Sequence, residues 1–323
     1  MVRITVFGES LVDLVATPDG RHFRADPGGS PANVAVGLGR MGVSVTLATG
    51  LGDDAFGRLV AARLVASGVT VEAQPAPFTG LAIVSVDGAG VPSYDFALSW
   101  EPAAPVLPPD TAVLHTGSLA AALPPGDRSA EAAMAGARAT AIVTYDPNIR
   151  PALLGDRTSE RRRVERQVAL SDVVKASDED LGWLYPGADP VGIARAWQRS
   201  GPALVVLTRG PGGCVAVTAA EQIHRPAPAV EVVDTVGAGD AFMSGLLSGL
   251  LAAGLLDPGR RAELGRADRA LLSGPLTRAV TAAAITCARA GADPPTALEL
   301  EDAGRRTPAE PFASFPPTRK SGT

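Results

Sequence analysis

The sequence predicts an α/β protein built around a largely parallel sheet, with a small β-sheet appendage. Short runs rich in β-branched residues alternate along the chain with stretches that carry helical spacing or charge. Such alternation is typical of a parallel sheet that is covered by helices. Two stretches interrupt it and contain paired strand-like runs with no helix between them. The length of 323 residues suggests roughly two domains.

The predicted elements follow this alternation in chain order. In parallel sheets ligands bind at the carboxyl ends of the strands, so we expect the functional residues in the loops that follow them. The six strands are predicted over residues 2–7, 43–48, 112–115, 141–145, 173–175 and 204–208. The helices are predicted over 33–40, 55–67, 130–138, 161–171 and 191–199.

The two interruptions predict a β appendage made of separate pieces of sequence. Residues 11–26 and 73–100 contain strand-like runs around the turn signals Asp19-Gly20 and Asp87-Gly88, which favour hairpins. The α/β domain would then comprise 1–10, 27–72 and 101–306, with 11–26 and 73–100 as the appendage. The Pro-rich segment 307–323 is expected to be a loosely attached tail.

Composition excludes several classes of protein. The net charge of −5 argues against a protein that coats nucleic acid, because such proteins carry a strong basic excess. Two cysteines, Cys214 and Cys287, are too few for a disulfide framework, which favours a reducing compartment. The uncharged run 241–256 is shorter than the about 20 residues of a spanning helix. We therefore expect a cytoplasmic protein with neither nucleic-acid nor membrane partners.

The strongest motif runs from Asp234 through Thr235-Val236-Gly237-Ala238-Gly239 to Asp240 and opens the uncharged run. A Gly-Ala-Gly turn at a helix N-terminus presents backbone N–H groups and a helix dipole that favour an anion. Asp240 could simply complement that dipole. A carboxylate beside an anion site also fits phosphoryl transfer, in which the amides stabilise charge while Asp240 takes a proton from the acceptor hydroxyl.

The second motif is Pro27-Gly28-Gly29-Ser30-Pro31-Ala32-Asn33. Gly28 and Gly29 let the backbone approach a ligand closely, and the Asn33 side chain is suited to binding hydroxyls. Ser30 with Pro31 is typical of a helix N-cap and first turn. Asp13, after the first strand, is a further candidate for accepting hydrogen bonds from hydroxyls.

These two motifs, together with Gly50-Leu51-Gly52-Asp53-Asp54-Ala55-Phe56-Gly57, resemble those of the ribokinase-like (PfkB) carbohydrate kinases over essentially the whole chain. The resemblance implies a three-layer α/β/α ribokinase-like domain with a largely parallel central sheet. It also implies a small β-sheet lid that closes over the sugar, excludes water and forms a homodimer interface. ATP and Mg²⁺ would be the cofactors, and K⁺ a candidate activator.

The resemblance also assigns roles to residues of the two motifs. Asp240 would be the general base, and Gly237, Ala238 and Gly239 would form the anion hole. Asp240 would also contact the sugar. The remaining sugar-binding residues would be Asp13, Gly28, Gly29 and Asn33.

Two further segments resemble those of related kinases. Asp146-Pro147-Asn148-Ile149-Arg150 is similar to the D-P-N-x-R segment of fructokinases and ketodeoxygluconate kinases, so Arg150 would contact the substrate or the transferred phosphate. The alternative is an Asp-Pro turn with an exposed arginine. Lys175, Ser177 and Asp180 occupy the place of the family's N-x-x-E motif, linked to Mg²⁺ and phosphates. Asp180 would hold the metal through water, whereas helix capping by Ser177 is an equal alternative.

The nucleotide side is predicted from a third glycine-rich segment. Thr208, Gly210 and Gly213 would approach the nucleotide, the alternative being a plain hairpin turn. Gly239 would contribute to the same site, Cys287 would lie in the adenine-side wall, and Asp234 is the candidate for a monovalent cation.

The function most consistent with these motifs is an ATP-dependent sugar kinase of the fructokinase type. The first alternative is a 2-keto-3-deoxygluconate kinase; Asp95 in the lid would repel its acidic substrate, although Arg21 and Arg24 could compensate. A ribokinase or nucleoside kinase comes next, and a nucleoside would need an aromatic platform. A catalytically silent sugar-binding protein is disfavoured by the intact Asp240 motif. The lid aromatics available for a platform are Phe23, Phe78, Tyr94, Phe96 and Trp100.

Overall fold

The structure, a computed structural model, describes residues 2–17, 21–86 and 92–306. The predicted tail 307–323 and the turn signals Asp19-Gly20 and Asp87-Gly88 lie outside the described residues.

A large sheet of nine strands forms the centre of the molecule. Its strands are β1 (Arg3–Phe7), β4 (Ser44–Gly52), β5 (Val69–Ala76), β8 (Thr111–Gly117), β9 (Ile142–Asp146), β10 (Val173–Ser177), β11 (Leu204–Thr208), β12 (Cys214–Val217) and β13 (Gln222–Arg225). Their order is β13-β12-β11-β10-β9-β8-β1-β4-β5. The strands from β11 to β5 in this order pair in parallel, while β12 and β13 are antiparallel additions at one edge. The predicted largely parallel sheet is confirmed.

Helices cover both faces of this sheet. Successive strand residues point to opposite faces, so Ile142 and Val143 enter two different cores. One core includes residues of α1, α2, α7 and α9, and the other residues of α3, α4, α5 and α6. The predicted three-layer arrangement is thereby confirmed. The helices are α1 (Ser30–Arg40), α2 (Ala55–Ala66), α3 (Gly126–Ala137), α4 (Arg157–Ala169), α5 (Asp178–Leu184), α6 (Pro190–Arg199), α7 (Ala238–Ala252), α8 (Arg261–Leu264), α9 (Arg269–Cys287) and α10 (Ala297–Arg306).

The two sequence insertions supply a separate four-stranded sheet. It consists of β2 (Leu11–Ala16), β3 (Phe23–Gly28), β6 (Gly80–Val86) and β7 (Pro92–Ala97), in the order β3-β2-β6-β7. Each insertion forms an antiparallel pair, and the two pairs join through β2 and β6, which run in parallel. The smaller sheet expected from the two insertions is therefore present.

The strand pairing differs from the expected appendage at two boundaries, and each of the two strands concerned contains a proline. Residues 73–76 continue β5 of the large sheet and pair with the end of β4. Pro27 and Gly28 extend β3 of the small sheet and pair with the start of β2. Both β5 and β3 are edge strands, where a proline such as Pro75 or Pro27 removes no ladder hydrogen bond that a second neighbour needs.

Helix α9 is long and apolar enough to cross a membrane by length and composition, with a mean hydropathy of 1.2 over its best window. In this fold it packs along α7. A Cβ built on Gly249 would lie 2.6 Å from the Pro275 Cα, and one built on Gly245 would lie 2.9 Å from the Ala279 Cα. These two glycines thus allow α7 and α9 to approach closely.

Candidate active site

The candidate site lies where the carboxyl ends of the parallel strands meet the N-termini of α1 and α7. Because β1, β8, β9 and β10 run in parallel, their following loops emerge at the same edge of the sheet. The loops after these strands carry Glu9, Ser118, Asn148 and the start of α5.

Asp240 is held at the centre of this site by two side chains from α1. It lies in the first turn of α7 and is buried. The Ser30 hydroxyl donates to Asp240 Oδ1 at 2.7 Å, and Asn33 Nδ2 donates to Oδ2 at 3.0 Å. Burial raises the pKa of Asp240, while these two hydrogen bonds and the nearby Lys175 oppose the rise. The result is an oriented carboxyl group with raised basicity.

Ser30 does not cap α1 as the sequence predicts. The helix begins at Ser30 itself, and its N-cap is Gly29, with φ of 98° and no side-chain cap hydrogen bond. The hydroxyl of Ser30 is therefore available to Asp240, 210 positions away in the sequence. The role of Ser30 was missed because its partner lies in a different element.

Asn33 has a second buried polar atom, its side-chain oxygen. Its side chain is 7% exposed, and its Oδ1 finds no hydrogen-bond partner among the described residues. A buried acceptor without a donor costs free energy, so this oxygen is suited to a hydroxyl group of a ligand.

The Gly237–Gly239 turn forms the N-terminus of α7. Gly237 has φ of 73°, and a Cβ at this position would lie 2.5 Å from the Ala292 Cβ, so glycine is required here. A Cβ on Gly239 would lie 3.0 Å from the Lys175 Nζ. The first amides of a helix have no intrahelical acceptor, and a lysine ammonium group beside them adds positive charge. This corner of the site therefore favours an anion.

Lys175, in the middle of β10, is buried and paired with Asp146, the last residue of β9. The distance from Lys175 Nζ to Asp146 Oδ2 is 2.8 Å, and both side chains are almost fully buried. Burial alone would lower the pKa of Lys175, but Asp146, Asp180 and Asp240 keep it above its ordinary value. Burial raises the pKa of Asp146 to about 6 even with Lys175 beside it. The lysine thus remains a cation inside the site.

The segment from Asp146 to Arg150 adopts an unusual backbone. Asn148 has φ of 40°, and its amide donates to Asp146 Oδ1 at 3.1 Å. Its side-chain Oδ1 accepts from Arg150 at 2.7 Å, and its Nδ2 donates to Ser118, which itself has φ of 53°. Left-handed backbone at a non-glycine residue is strained and is frequent at functional sites. Arg150 is thus anchored by Asn148 while its side chain remains exposed.

Ser177 and Asp180 form a reciprocal capping box at the start of α5. The Asp180 amide donates to Ser177 Oγ at 3.0 Å, and the Ser177 amide donates to Asp180 Oδ2 at 2.8 Å. Asp180 Oδ1 also accepts from the Ile149 amide at 2.7 Å. The capping alternative is therefore present, and Asp180 additionally fixes the segment that carries Arg150.

Asp13 on β2 lies next to Gly28, which is followed by Gly29, the other glycine of the second motif. A Cβ on Gly28 would lie 2.3 Å from Asp13 Oδ2, and one on Gly29 would lie 2.6 Å from the Glu9 carbonyl oxygen. Burial, followed by the charges of Asp26 and Asp240, raises the pKa of Asp13 to about 6. The neighbouring backbone and the φ of 98° leave room only for glycine at position 29, and the Asp13 carboxyl group lies against the backbone of Gly28.

Glu9 is a buried carboxyl group that the sequence analysis missed. Its Oε2 accepts from the Ala120 amide at 2.9 Å, and burial raises the pKa of Glu9 to about 7. Its signal in the sequence was a charged residue directly after the first buried strand. Glu9 holds the turn after β8, which includes the strained residue Ser118.

The predicted nucleotide residues form a second group, farther along the same sheet edge. Thr208 ends β11, and Gly210 opens the turn to β12 with φ of 49° and no other atom within 4 Å of a Cβ built on it. Gly213 has φ of 80°, and a Cβ there would lie 2.0 Å from the Arg225 carbonyl oxygen. The β11–β12 hairpin thus explains Gly213 by packing, as the alternative of a plain turn anticipated.

Cys287 and Asp234 fix the loop that leads into the Gly237–Gly239 turn. The Cys287 carbonyl accepts from the amides of Val233 and Asp234. The two carboxylate oxygens of Asp234 accept from the amides of Val236 and Gly291, at 3.0 and 2.8 Å. Burial and Asp234 raise the pKa of the Cys287 thiol, which makes it a poor nucleophile.

Comparison with known proteins points to one family. The model of the pfkB family carbohydrate kinases matches residues 1–298. A fructokinase of Klebsiella pneumoniae is 38% identical over 268 residues, which cover 79% of this chain and 86% of that protein.

Solved structures agree with this match. A fructokinase from Xylella fastidiosa with bound ATP superposes with a TM-score of 0.82 at 28% identity, covering 93% of this chain and 97% of that one. A fructokinase double mutant from Vibrio cholerae O395, in a form bound to fructose, ADP and potassium ion, gives a TM-score of 0.74 at 28% identity over 90% and 94% of the two chains. The chain therefore belongs to the pfkB family of carbohydrate kinases, as its motifs predict, and is an ATP-dependent sugar kinase.

Proposed function

We propose that this chain phosphorylates fructose with ATP and that Asp240 is the general base. The observation that carries the proposal is the buried Asp240 carboxyl group, which Ser30 and Asn33 orient at the N-terminus of a glycine-opened helix. Relatives that are described as fructokinases support fructose as the acceptor.

In the proposed reaction Asp240 accepts the proton of a sugar hydroxyl. The hydroxyl oxygen then forms a bond to the γ-phosphorus of ATP, the bond from that phosphorus to the β,γ-bridging oxygen breaks, and ADP leaves. A positioned base contributes about 10²–10⁴-fold to the rate. Amides of the Gly237–Gly239 turn stabilise the charge on the transferred group. In the structure the Ala238 amide donates to the Thr235 carbonyl at 3.2 Å, and the Lys175 ammonium lies beside Gly239. Arg150, anchored by Asn148, reaches the phosphates from the exposed side.

The nucleotide is proposed to lie between the turn after Thr208 and the Cys287 end of α9. The open space at Gly210 supports close approach of ribose or phosphates. The Cys287 carbonyl accepts hydrogen bonds from the amides of Val233 and Asp234. These hydrogen bonds join the end of α9 to the loop that leads into the proposed anion hole.

Metal ions are proposed on the basis of the oxygen donors that are present. A carboxylate offers about four lone-pair positions, and Asp180 uses two of them for backbone amides, so it can still hold Mg²⁺ through water. Bound Mg²⁺ would neutralise the charge of the phosphates. Asp234 similarly has lone pairs left for K⁺, although it also ties down two backbone amides.

The charge of the sugar side favours a neutral acceptor. Asp13 on β2 lies opposite Asp26 on β3 in the strand pairing. Burial raises the pKa of Asp13, and the negative charges of Asp26 and Asp240 raise it further. Arg24, which could have bound an acidic sugar, forms an ion pair with Asp26 at 2.6 Å. These contacts disfavour 2-keto-3-deoxygluconate.

An aromatic platform for a nucleoside base is also poorly supported. Trp100 is 8% exposed, its indole Nε1 donates to the Ala120 carbonyl at 3.0 Å, and its ring packs on Phe7. Phe96 packs against a small core formed by Leu11, Ala82 and Leu119. The Tyr94 side chain lies outside the described residues, and Phe23 and Phe78 are exposed.

We further propose that the small sheet is the lid and the homodimer interface of a cytoplasmic enzyme. Its edge strand β3 exposes the Phe23 ring, 46% accessible, which a partner subunit could cover. Two free cysteines suit a reducing compartment. Light scattering of the purified protein measures the oligomeric state.

The experiment that tests the proposed function is an ADP-release assay of the purified chain with fructose, 2-keto-3-deoxygluconate, ribose and adenosine as acceptors. A reaction without acceptor measures ATP hydrolysis. We expect the highest kcat/KM with fructose. Turnover restricted to the keto acid or the nucleoside would contradict the proposal.

A further inference from the structure

Arg63 contacts both halves of the candidate site from α2, a helix on which no residue has been given a catalytic or binding role above. It lies on α2 and is partly buried. One terminal nitrogen of its guanidinium group donates to the Pro27 carbonyl, and the other donates to the Ala292 carbonyl. These carbonyls belong to segments that are 265 positions apart in the sequence, 27 against 292.

Each of the two carbonyls lies directly behind a subsite. Pro27 precedes Gly28 and Gly29, and we name residues 27–29, which join the end of β3 to the N-cap of α1, the sugar loop. Ala292 packs against Gly237, where a Cβ would lie 2.5 Å from its own Cβ. We name residues 291–293 the support loop. Its Gly291 amide donates to the carboxylate of Asp234.

We propose that Arg63 is a positioning residue that fixes the sugar loop relative to the support loop, and thereby aligns the acceptor hydroxyl with the γ-phosphate. The proposal rests on the proposed function, which assigns the sugar to the first loop and the phosphate to the anion hole. Phosphoryl transfer needs the attacking oxygen and the phosphorus in line, and a displacement of about 1 Å can cost about 10²-fold in rate.

The chemistry of the contact requires arginine. A guanidinium group presents several donors in a rigid plane, so one side chain can bridge two carbonyls at a fixed angle. A lysine ammonium has no such fixed separation. The charged groups around Arg63 are Arg40 on α1, Asp13 and Asp26 on the small sheet, and Asp293 on the support loop. Three carboxylates therefore compensate the buried cation and its neighbour.

Arg40 offers a matched control for the support loop alone. Its NH1 donates to Asp293 and, at 2.7 Å, to the Pro294 carbonyl. It therefore anchors the same region of the chain from α1 and has no hydrogen bond to Pro27. Loss of Arg40 loosens the support loop without releasing the sugar loop.

The test compares the purified full-length variants Arg63→Met, Arg63→Lys and Arg40→Met with the parent. For each, kcat and the KM values for fructose and for ATP are measured, together with the melting temperature. We expect R63M to raise the KM for fructose and to lower kcat/KM for fructose by about 10²-fold. R63K should recover part of that loss, because it restores the charge and one donor. R40M should leave the KM for fructose close to the parental value.

Two results would overturn the inference. One is an R63M or R63K variant with the parental KM for fructose and the parental kcat. The other is an equal rise of that KM in R40M, which would mean that the support loop alone matters. If R63M does not fold, the KM for fructose of R63K is compared with that of R40M, and the inference requires the larger rise in R63K. A parent that phosphorylates no sugar would instead refute the proposed function.

Discussion

Replacing Ser30 with alanine perturbs the proposed base without touching it. The substitution removes the hydroxyl that donates to Asp240 Oδ1 at 2.7 Å and leaves the Asn33 hydrogen bond in place. Because α1 begins at Ser30 and Gly29 is its N-cap, no capping hydrogen bond is lost with it. Any change in the enzyme therefore reports on the Asp240 carboxyl group.

The size of the effect follows from the charge of the acceptor. A hydrogen bond to an ionised group contributes about 1.5–3 kcal/mol, and about 1.4 kcal/mol corresponds to a factor of ten. We therefore expect S30A to lower kcat/KM by about 10- to 100-fold at neutral pH. The Ser30 hydroxyl stabilises the ionised form of Asp240 and opposes the rise of its pKa through burial. Its loss raises that pKa further, so the acid limb of the kcat/KM profile moves to higher pH.

The assay is ADP release with fructose between pH 5 and 9. Ser30→Thr keeps a hydroxyl and should retain most of the activity. Ser244→Ala is the matched control, because Ser244 is a buried serine on α7 that donates to the Ala241 carbonyl at 2.9 Å and not to Asp240. If S30A had the kcat/KM and the acid limb of S244A, the proposed orientation of Asp240 by Ser30 would be refuted.

Three further predictions concern the support of the site. Gly237→Ala should abolish most activity because the new Cβ would lie 2.5 Å from the Cβ of Ala292. The control is Gly42→Ala, where φ is a similar 76° but no atom lies within 4 Å of the new Cβ. It should lower the free energy of unfolding by only about 1 kcal/mol, through backbone strain. Glu9→Gln should flatten the pH dependence of stability. Burial raises the pKa of Glu9 to about 7, so the parent loses stability as the pH rises from 4.5 through 7. If chemical unfolding gave the variant the same slope of stability against pH as the parent, the burial of Glu9 would be contradicted. Asn148→Gly should keep the φ of 40° without strain but release Arg150, so kcat/KM falls while the melting temperature is unchanged. Asn148→Ala should in addition lose about 1 kcal/mol of stability. If N148G were as active as the parent, Asn148 would have no role in anchoring Arg150.

The sequence was most informative where a function needs neighbouring residues. The Gly-Ala-Gly turn and Asp240 share one helix N-terminus, so their spacing alone predicts the anion corner. The two asparagines and Lys175 are rare residue types in this chain, which has 29 basic residues of which 27 are Arg. Asn33 and Lys175 both lie beside the α7 N-terminus in the structure.

Sequence reasoning failed where a contact joins distant elements or where a strand has no neighbour on one side. Ser30 fits a helix cap locally, yet it donates to a carboxylate 210 positions away. The expected boundaries at residues 27 and 73 fall within β3 and β5, two edge strands that tolerate the missing amides of Pro27 and Pro75. Glu9 belongs to none of the motifs, and its burial follows from the turn after β8, whose Ala120 amide donates to it. Such contacts depend on tertiary packing and leave no local pattern.

The central claim is that the Asp240 carboxylate takes the proton of the sugar hydroxyl, and Asp240→Asn tests it most directly. Asparagine has nearly the same shape and can still accept from Ser30, so the fold and the binding of ATP should persist. The measurement is kcat for fructose phosphorylation alongside the Kd for ATP from calorimetry. We predict that kcat falls by about 10²–10⁴-fold while the Kd for ATP stays near the parental value. A D240N enzyme with the parental kcat would contradict the account.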